Sequence, residues 1–360
     1  RTNYETADAY ASTPPDRFPD QFNISAGSLS AKFIFSYVND EPLVQNFSDI
    51  HIQYNMGNIT QAPFGTNLIL SFVVTDKDGY KYYFGVSKDG LREARNWDKN
   101  IGNYTFPSNS SYNLTSSPFY LNFNSWQLMD VESPNSELVS FVYQEETSIF
   151  HSRSYDKKEN NGTYTNYTSK IESHQYQLKE IIHKQGKIIL EANDDRQDLN
   201  GGKELDFIKI YDNNLSSIKT FNLYHSYPAT VTDNNQHSQL ISFESQAAKR
   251  IFLDSIVEVG KNNTKKPAYV FTYNDQALPH RFSNSQDLWG FYNGKPNGQY
   301  LKFFGPYNQV SRQVDIEKSM AGMLEQVKYP TGGFTKFIFE HNIGHLGDEF
   351  NHILIPDVNS

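Results

Sequence analysis

From Phe22 onward the chain is built of short runs in which apolar and polar residues take turns. Ile50-His51-Ile52-Gln53-Tyr54 alternates strictly, and Lys32-Phe33-Ile34-Phe35-Ser36-Tyr37 has the same strand character. A period of two puts one face of an extended segment toward a core and the other toward water. Many of these runs come in pairs. Leu68 to Thr75 and Tyr80 to Gly85 flank Asp76-Lys77-Asp78-Gly79, whose Asp-Gly supplies the positive φ of a tight connection. Trp126 to Glu132 and Glu137 to Tyr143 flank Ser133-Pro134-Asn135-Ser136. Leu205 to Tyr211 and Ile218 to Tyr224 flank Asp212-Asn213-Asn214. Arg250 to Val259 and Ala268 to Tyr273 enclose the loop around Asn262-Asn263, and Leu324 to Tyr329 and Phe334 to Phe339 enclose Pro330-Thr331-Gly332-Gly333. This pattern predicts a long antiparallel meander. Residues 86–118, 154–170 and 226–236 read as polar loops, and Gln313 to Met323 as one short helix. Residues 1–20, broken by Pro14, Pro15 and Pro19, read as an extended lead-in. Residues 21–360 then form one β-segment with a sub-boundary near 155–170.

Composition narrows the class. Aromatic residues make up 15% of the chain, which suits a pleated, half-buried surface. The net charge of -9 with no basic stripe argues against nucleic acid as a partner. Without cysteine there are no disulfides, thiolate metal sites or cysteine nucleophiles. No apolar run reaches membrane-spanning length, and no signal peptide opens the sequence. Arg1 is not a natural start, so the expectation is a processed or excerpted piece. Asn-x-Ser/Thr sequons recur from Asn23 to Asn262, as chance supplies them in an Asn-rich chain.

Several phrases together resemble RHS/YD-repeat proteins, the large exported proteins of Gram-negative bacteria. They are VTDKDGYKYYFG (74–85), SWQLMDVESPNSELVSFVY (125–143), KELDFIKIYDNN (203–214), LPHRFSNSQDLWGFYNGKPN (278–297) and GMLEQVKYPTGGFTKFIFEHN (322–342). Phe22 to Phe35 also resembles the family's opening strand pair. The resemblance implies an all-β, mostly antiparallel fold: hairpins forming a curved RHS-like β-strip or shell segment. It implies a non-catalytic, secreted or cell-surface scaffold at the outer membrane, enclosing or presenting a C-terminal effector, or acting in adhesion or a type 9 secretion complex. The implied partners are other parts of a larger parent chain or an outer-membrane complex. The family's tandem Tyr-Asp repeats and self-cleavage core are missing here, which makes the piece an upstream part or a shortened relative. A carbohydrate-binding adhesin, with a glycan as partner, and an accessory subunit of a secretion or gliding complex are the alternatives.

Candidate chemistry is sparse, and no cofactor is implied. His341, His345, Glu349 and His352 would share one helix face and suit zinc, but Gly344 and Gly347 disfavour that helix and the His-Glu-x-x-His order is absent. Asp76-x-Asp78-Gly79 has half the look of a calcium loop and reads better as a hairpin turn. Asn193, Asp194, Asp195, Asp198 and Asn200 form a second acidic cluster, read as a solvated loop. No Gly-x-Ser-x-Gly elbow, Walker loop or dinucleotide glycine loop occurs. The densest aromatic cluster is Trp289, Phe291 and Tyr292. These rings could stack on sugars with Asp287 and Asn293 as hydrogen-bonding neighbours. The favoured expectation is that they plug the inside of the shell, where large rings fill space.

Overall fold

The computed structural model describes residues 20–45, 49–59, 64, 67–106, 110–111, 122–158, 164–231, 244–287, 289–295 and 312–340. The fold is nearly all β and antiparallel. A small sheet holds β1 (Gln21–Ala26), β2 (Leu29–Phe35) and β3 (Pro42–Val44). Alternation turns Ile24, Ala26, Leu29, Ala31 and Phe33 inward. They pack on the start of a second sheet, against Ile52, Phe72, Val74, Tyr82 and Phe84. Phe33 meets Phe72 at 5.7 Å between ring centroids, and Phe72 meets Trp126 edge-on at 5.1 Å. Such ring pairs add to what their buried area contributes. Trp126 hides its one polar atom by donating Nε1–H to the Ile69 carbonyl at 2.9 Å.

Among the described residues the second sheet has sixteen strands. They are β4 (His51–Gly57), β5 (Leu68–Thr75), β6 (Lys81–Phe84), β7 (Arg95–Phe106), β8 (Ser110–Ser111), β9 (Ser125–Trp126), β10 (Leu128–Glu132), β11 (Leu138–Lys158), β12 (Tyr164–His183), β13 (Gly186–Glu191), β14 (Phe207–Asp212), β15 (Ser217–Ser226), β16 (Phe252–Gly260), β17 (Tyr269–Tyr273), β18 (Leu324–Lys328) and β19 (Phe334–Lys336). The hydrogen-bonded path runs from β4 to β19 without closing into a barrel. All five hairpins foreseen from the sequence are present: β5–β6, β10–β11, β14–β15, β16–β17 and β18–β19. The short helix α1 (Ile316–Ser319) starts where Asp315 accepts a hydrogen bond from the Lys318 amide. Among the described residues no helix is long and apolar enough to cross a membrane.

Two expected loops are strands instead. Much of 154–170 belongs to β11 and β12, the longest hairpin, and 95–106 is β7. Polarity misled because these strands do not need a deep apolar face. Tyr164, Thr165, Tyr167 and Thr168 favour extended backbone by shape alone. Partners on both edges supply the ladder. β12 pairs with β11 along its whole length. Its other edge is divided, pairing with β13 through Glu180–His183 and with β7 through Asn166–His174. The sheet therefore branches at β12.

β11 runs well beyond the reach of β10, whose pairing stops at Ser140. Its exposed edge is capped by other segments. The Ile149 amide donates to the Asn200 carbonyl at 2.9 Å, and the His151 amide to a Glu244 carboxylate oxygen at 2.6 Å. Glycine makes the first contact feasible: at Gly201, where φ is +82°, an added Cβ would lie 2.2 Å from the Thr147 carbonyl oxygen. Capping of this kind removes an open template for foreign strands.

Between Met129 and Ala247 no apolar side chain among the described residues is buried. β13, β14 and β16 are half-buried at every position, without alternation. Among the described residues the middle of the sheet is thus only partly buried, on both faces alike.

Candidate functional site

The aromatic cluster is organised the opposite way from the expected plug. Trp289 is 70% exposed and Phe291 50%, whereas Asp287 is 4% and Asn293 0% exposed; Tyr292 is half-buried. The cause is a turn. The Asp287 carboxylate accepts from the amides of Trp289 (2.9 Å) and Phe291 (3.0 Å), and the Asp287 amide donates to the Phe291 carbonyl (2.9 Å). Gly290 carries the positive φ of 89°. Asp76 and Asp212 do the same at 76–80 and 212–216, each accepting from the amides two and four residues on. Asp287 is thus a turn residue of the kind that organises two foreseen hairpins. The signal was present in the sequence, because Asp-Leu-Trp-Gly repeats the layout of Asp-Lys-Asp-Gly. Asn293 is likewise turned inward, donating to the Gln313 carbonyl at 3.1 Å. The turn presents its two largest rings to solvent and withholds the two polar groups expected beside them.

His341, His345, Glu349 and His352 lie outside the described residues. The acidic cluster is dispersed. Asp195 pairs with Lys203 at 2.6 Å, and Asp198 with Arg196 through two bonds of 2.9 and 2.7 Å. Three carboxylates do converge, with ligand atoms of Asp194, Glu204 and Asp206 within 4.8 Å of one another. Protein donors occupy two of them. Asp206 accepts from the Asn193 and Asp194 amides, and Glu204 from the Tyr227 hydroxyl. Asp76 serves its hairpin turn, as read from the sequence.

The polar convergence that sequence reasoning missed lies on the capped edge of β11. A pocket of about 470 Å³ opens between Phe150, His151 and Ser152 of β11, Leu199 of the β13–β14 loop, and Arg281, Phe282, Ser283 and Gln286 after β17. Behind this lining the buried Glu244 joins His151 to Arg281. One of its oxygens takes both the His151 amide and His151 Nδ1, the latter at 2.8 Å; the other oxygen takes the Arg281 guanidinium. Burial foremost, then the positive charges of Lys170 and Arg281, holds the His151 pKa below its ordinary value. Glu244 pulls the other way, but Arg281 already offsets its charge, so burial decides the direction. The imidazole is then neutral near pH 7, with Nδ1–H donated to Glu244. Burial likewise lowers the pKa of Arg281.

A larger cleft of about 970 Å³ sits where β1 faces β5 and β10. Its wall is the aromatic core itself, with Phe22, Phe72, Phe123 and Trp126 beside side-chain amides. It lacks the convergent ionisable groups of the His151 pocket.

No protein-family model and no curated protein matches the chain.

Proposed function

We propose that the chain is a non-catalytic wall segment of a larger exported β-shell, standing at the cell surface and continued by further strands of its parent chain or a partner. The observation that carries this reading is the partly buried middle of the sheet. β13, β14 and β16 keep apolar side chains half-exposed on both faces, an arrangement suited to a wall that other material lines. The far end agrees with it. Among the described residues β19 pairs only with β18, and Phe334 (63% exposed) and Ile338 (85% exposed) stand in or just beyond it. An apolar sheet edge is a template for another strand. The resemblance to RHS/YD-repeat proteins supports export and the surface location.

Sedimentation velocity on the chain and on a Phe334→Lys/Ile338→Lys variant tests this. Concentration-dependent association of the parent, reduced in the variant, is expected. A parent that stays monomeric at high micromolar concentration and matches the variant would overturn the reading.

A glycan-binding adhesin draws on one observation, the solvent-facing rings of Trp289 and Phe291. It loses Asp287, whose carboxylate is spent inside its own turn, and Asn293, which is buried and donates to the Gln313 carbonyl.

A further inference from the structure

We propose that the pocket beside His151 is a binding site for a small organic anion with an apolar body, of the arylalkanoate class. Three observations meet there. The first is size and shape: about 470 Å³ is within the range of ligand pockets, and three segments far apart in sequence build it. The second is the lining. Phe150, Leu199 and Phe282 offer an apolar wall, while Ser152, Ser283, Gln286 and Arg281 bring polar groups to the same space. The third is charge. The chain as a whole is acidic, with 41 acidic against 32 basic residues. Around this pocket the balance reverses.

Lys170 stands directly across the β11–β12 ladder from His151. Arg281 lines the pocket, and Arg250 anchors the same segment by donating to the Pro279 carbonyl at 3.1 Å. Arg196 flanks Leu199 in the loop. Against these four cations stand two carboxylates, Glu244 bound to Arg281 and Asp198 bound to Arg196. The positive charges of Lys170 and Arg281 both act on His151 at the pocket wall, and Arg250 shares Asp198 with Arg196 and Arg281. A carboxylate there meets a field that favours it and a guanidinium at its edge, while an aryl or alkyl body covers the partly exposed Phe150 and Leu199.

The test is titration calorimetry on the full chain with 4-phenylbutyrate and its uncharged twin 4-phenylbutyramide. One-to-one binding of the carboxylate, with the amide at least tenfold weaker, is expected. Leu199→Trp fills the cavity and should abolish binding. Lys170→Glu leaves the Glu244–Arg281 pair intact and should weaken carboxylate binding roughly tenfold while leaving the amide unchanged. Circular dichroism checks that each variant is folded, and Lys170→Glu decides the matter alone if Leu199→Trp is not. No carboxylate binding, equal binding of acid and amide, or affinity indifferent to the folded variants would each overturn the proposal.

Discussion

Glu244 holds His151 twice with a single oxygen, through the backbone amide at 2.6 Å and the ring Nδ1 at 2.8 Å, across 93 residues of sequence. One bond caps the β11 edge and the other orients a side chain. The remaining oxygen holds Arg281, so a buried carboxylate ties three segments together. Removing it leaves the His151 amide without its acceptor and the Arg281 guanidinium without its counter-charge. Glu244→Ala is expected to cost about 2–3 kcal/mol, below the full cost of breaking a buried pair because Arg281 is one-third exposed. Glu244→Gln keeps an acceptor for His151 and should cost less. Urea unfolding midpoints measure both. A Glu244→Ala midpoint equal to the parent's would mean the clamp does not stabilise the fold.

The same site makes stability depend on acidity. The folded pKa of His151 lies below the ordinary value of 6.5, so the unfolded chain takes up a proton that the folded chain resists. This contribution is full above pH 6.5 and is lost as the pH falls through 6.5 toward the lowered folded value. His151→Gln should therefore lose less stability than the parent between neutral and mildly acidic pH. Thermal melts of the two proteins across that range provide the comparison. Parallel curves would show that His151 titrates alike in the folded and unfolded chain.

The Asp-led turns carry one misfit. Gly79 and Gly290 occupy the positive-φ position of two of them, at 84° and 89°. In the third the same place is held by Leu215 at 59°, with its side chain exposed. A leucine there costs about 1–2 kcal/mol, and glycine's extra freedom in the unfolded chain returns roughly half of that. Leu215→Gly should stabilise the protein by about 0.5–1 kcal/mol. Chemical denaturation can resolve that gain, and a loss of stability would show that the Leu215 side chain contributes contacts that outweigh its backbone strain.

The parts of the fold legible in the sequence are those fixed within a few residues. Asp76-Lys77-Asp78-Gly79 and Pro330-Thr331-Gly332-Gly333 announce their hairpins because the turn chemistry is local. β7, and the β11–β12 hairpin through 154–170, were hidden because polar strands paired on both edges lack an apolar stripe. The branch at β12 depends on pairing Asn166–His174 with Trp97–Phe106, which no local pattern encodes. The His151 pocket was invisible for the same reason, since Glu244 and Arg281 reach β11 from far along the chain. Asp287 is the instructive case. Its aromatic neighbours drew attention to a cluster, while its own spacing to Gly290 already described a turn.

A sheet only partly buried on both faces unfolds with a small change in heat capacity. That quantity follows the apolar surface withdrawn from water on folding, and β13, β14 and β16 withdraw only part of theirs. Calorimetry of the isolated chain should give a value per residue below the usual ~12–15 cal/mol/K. A flat stability curve follows, on which warming and cooling both act gently. Whatever comes to lie against the bare faces would steepen that curve, so the temperature response of the wall becomes a gauge of how completely it is covered.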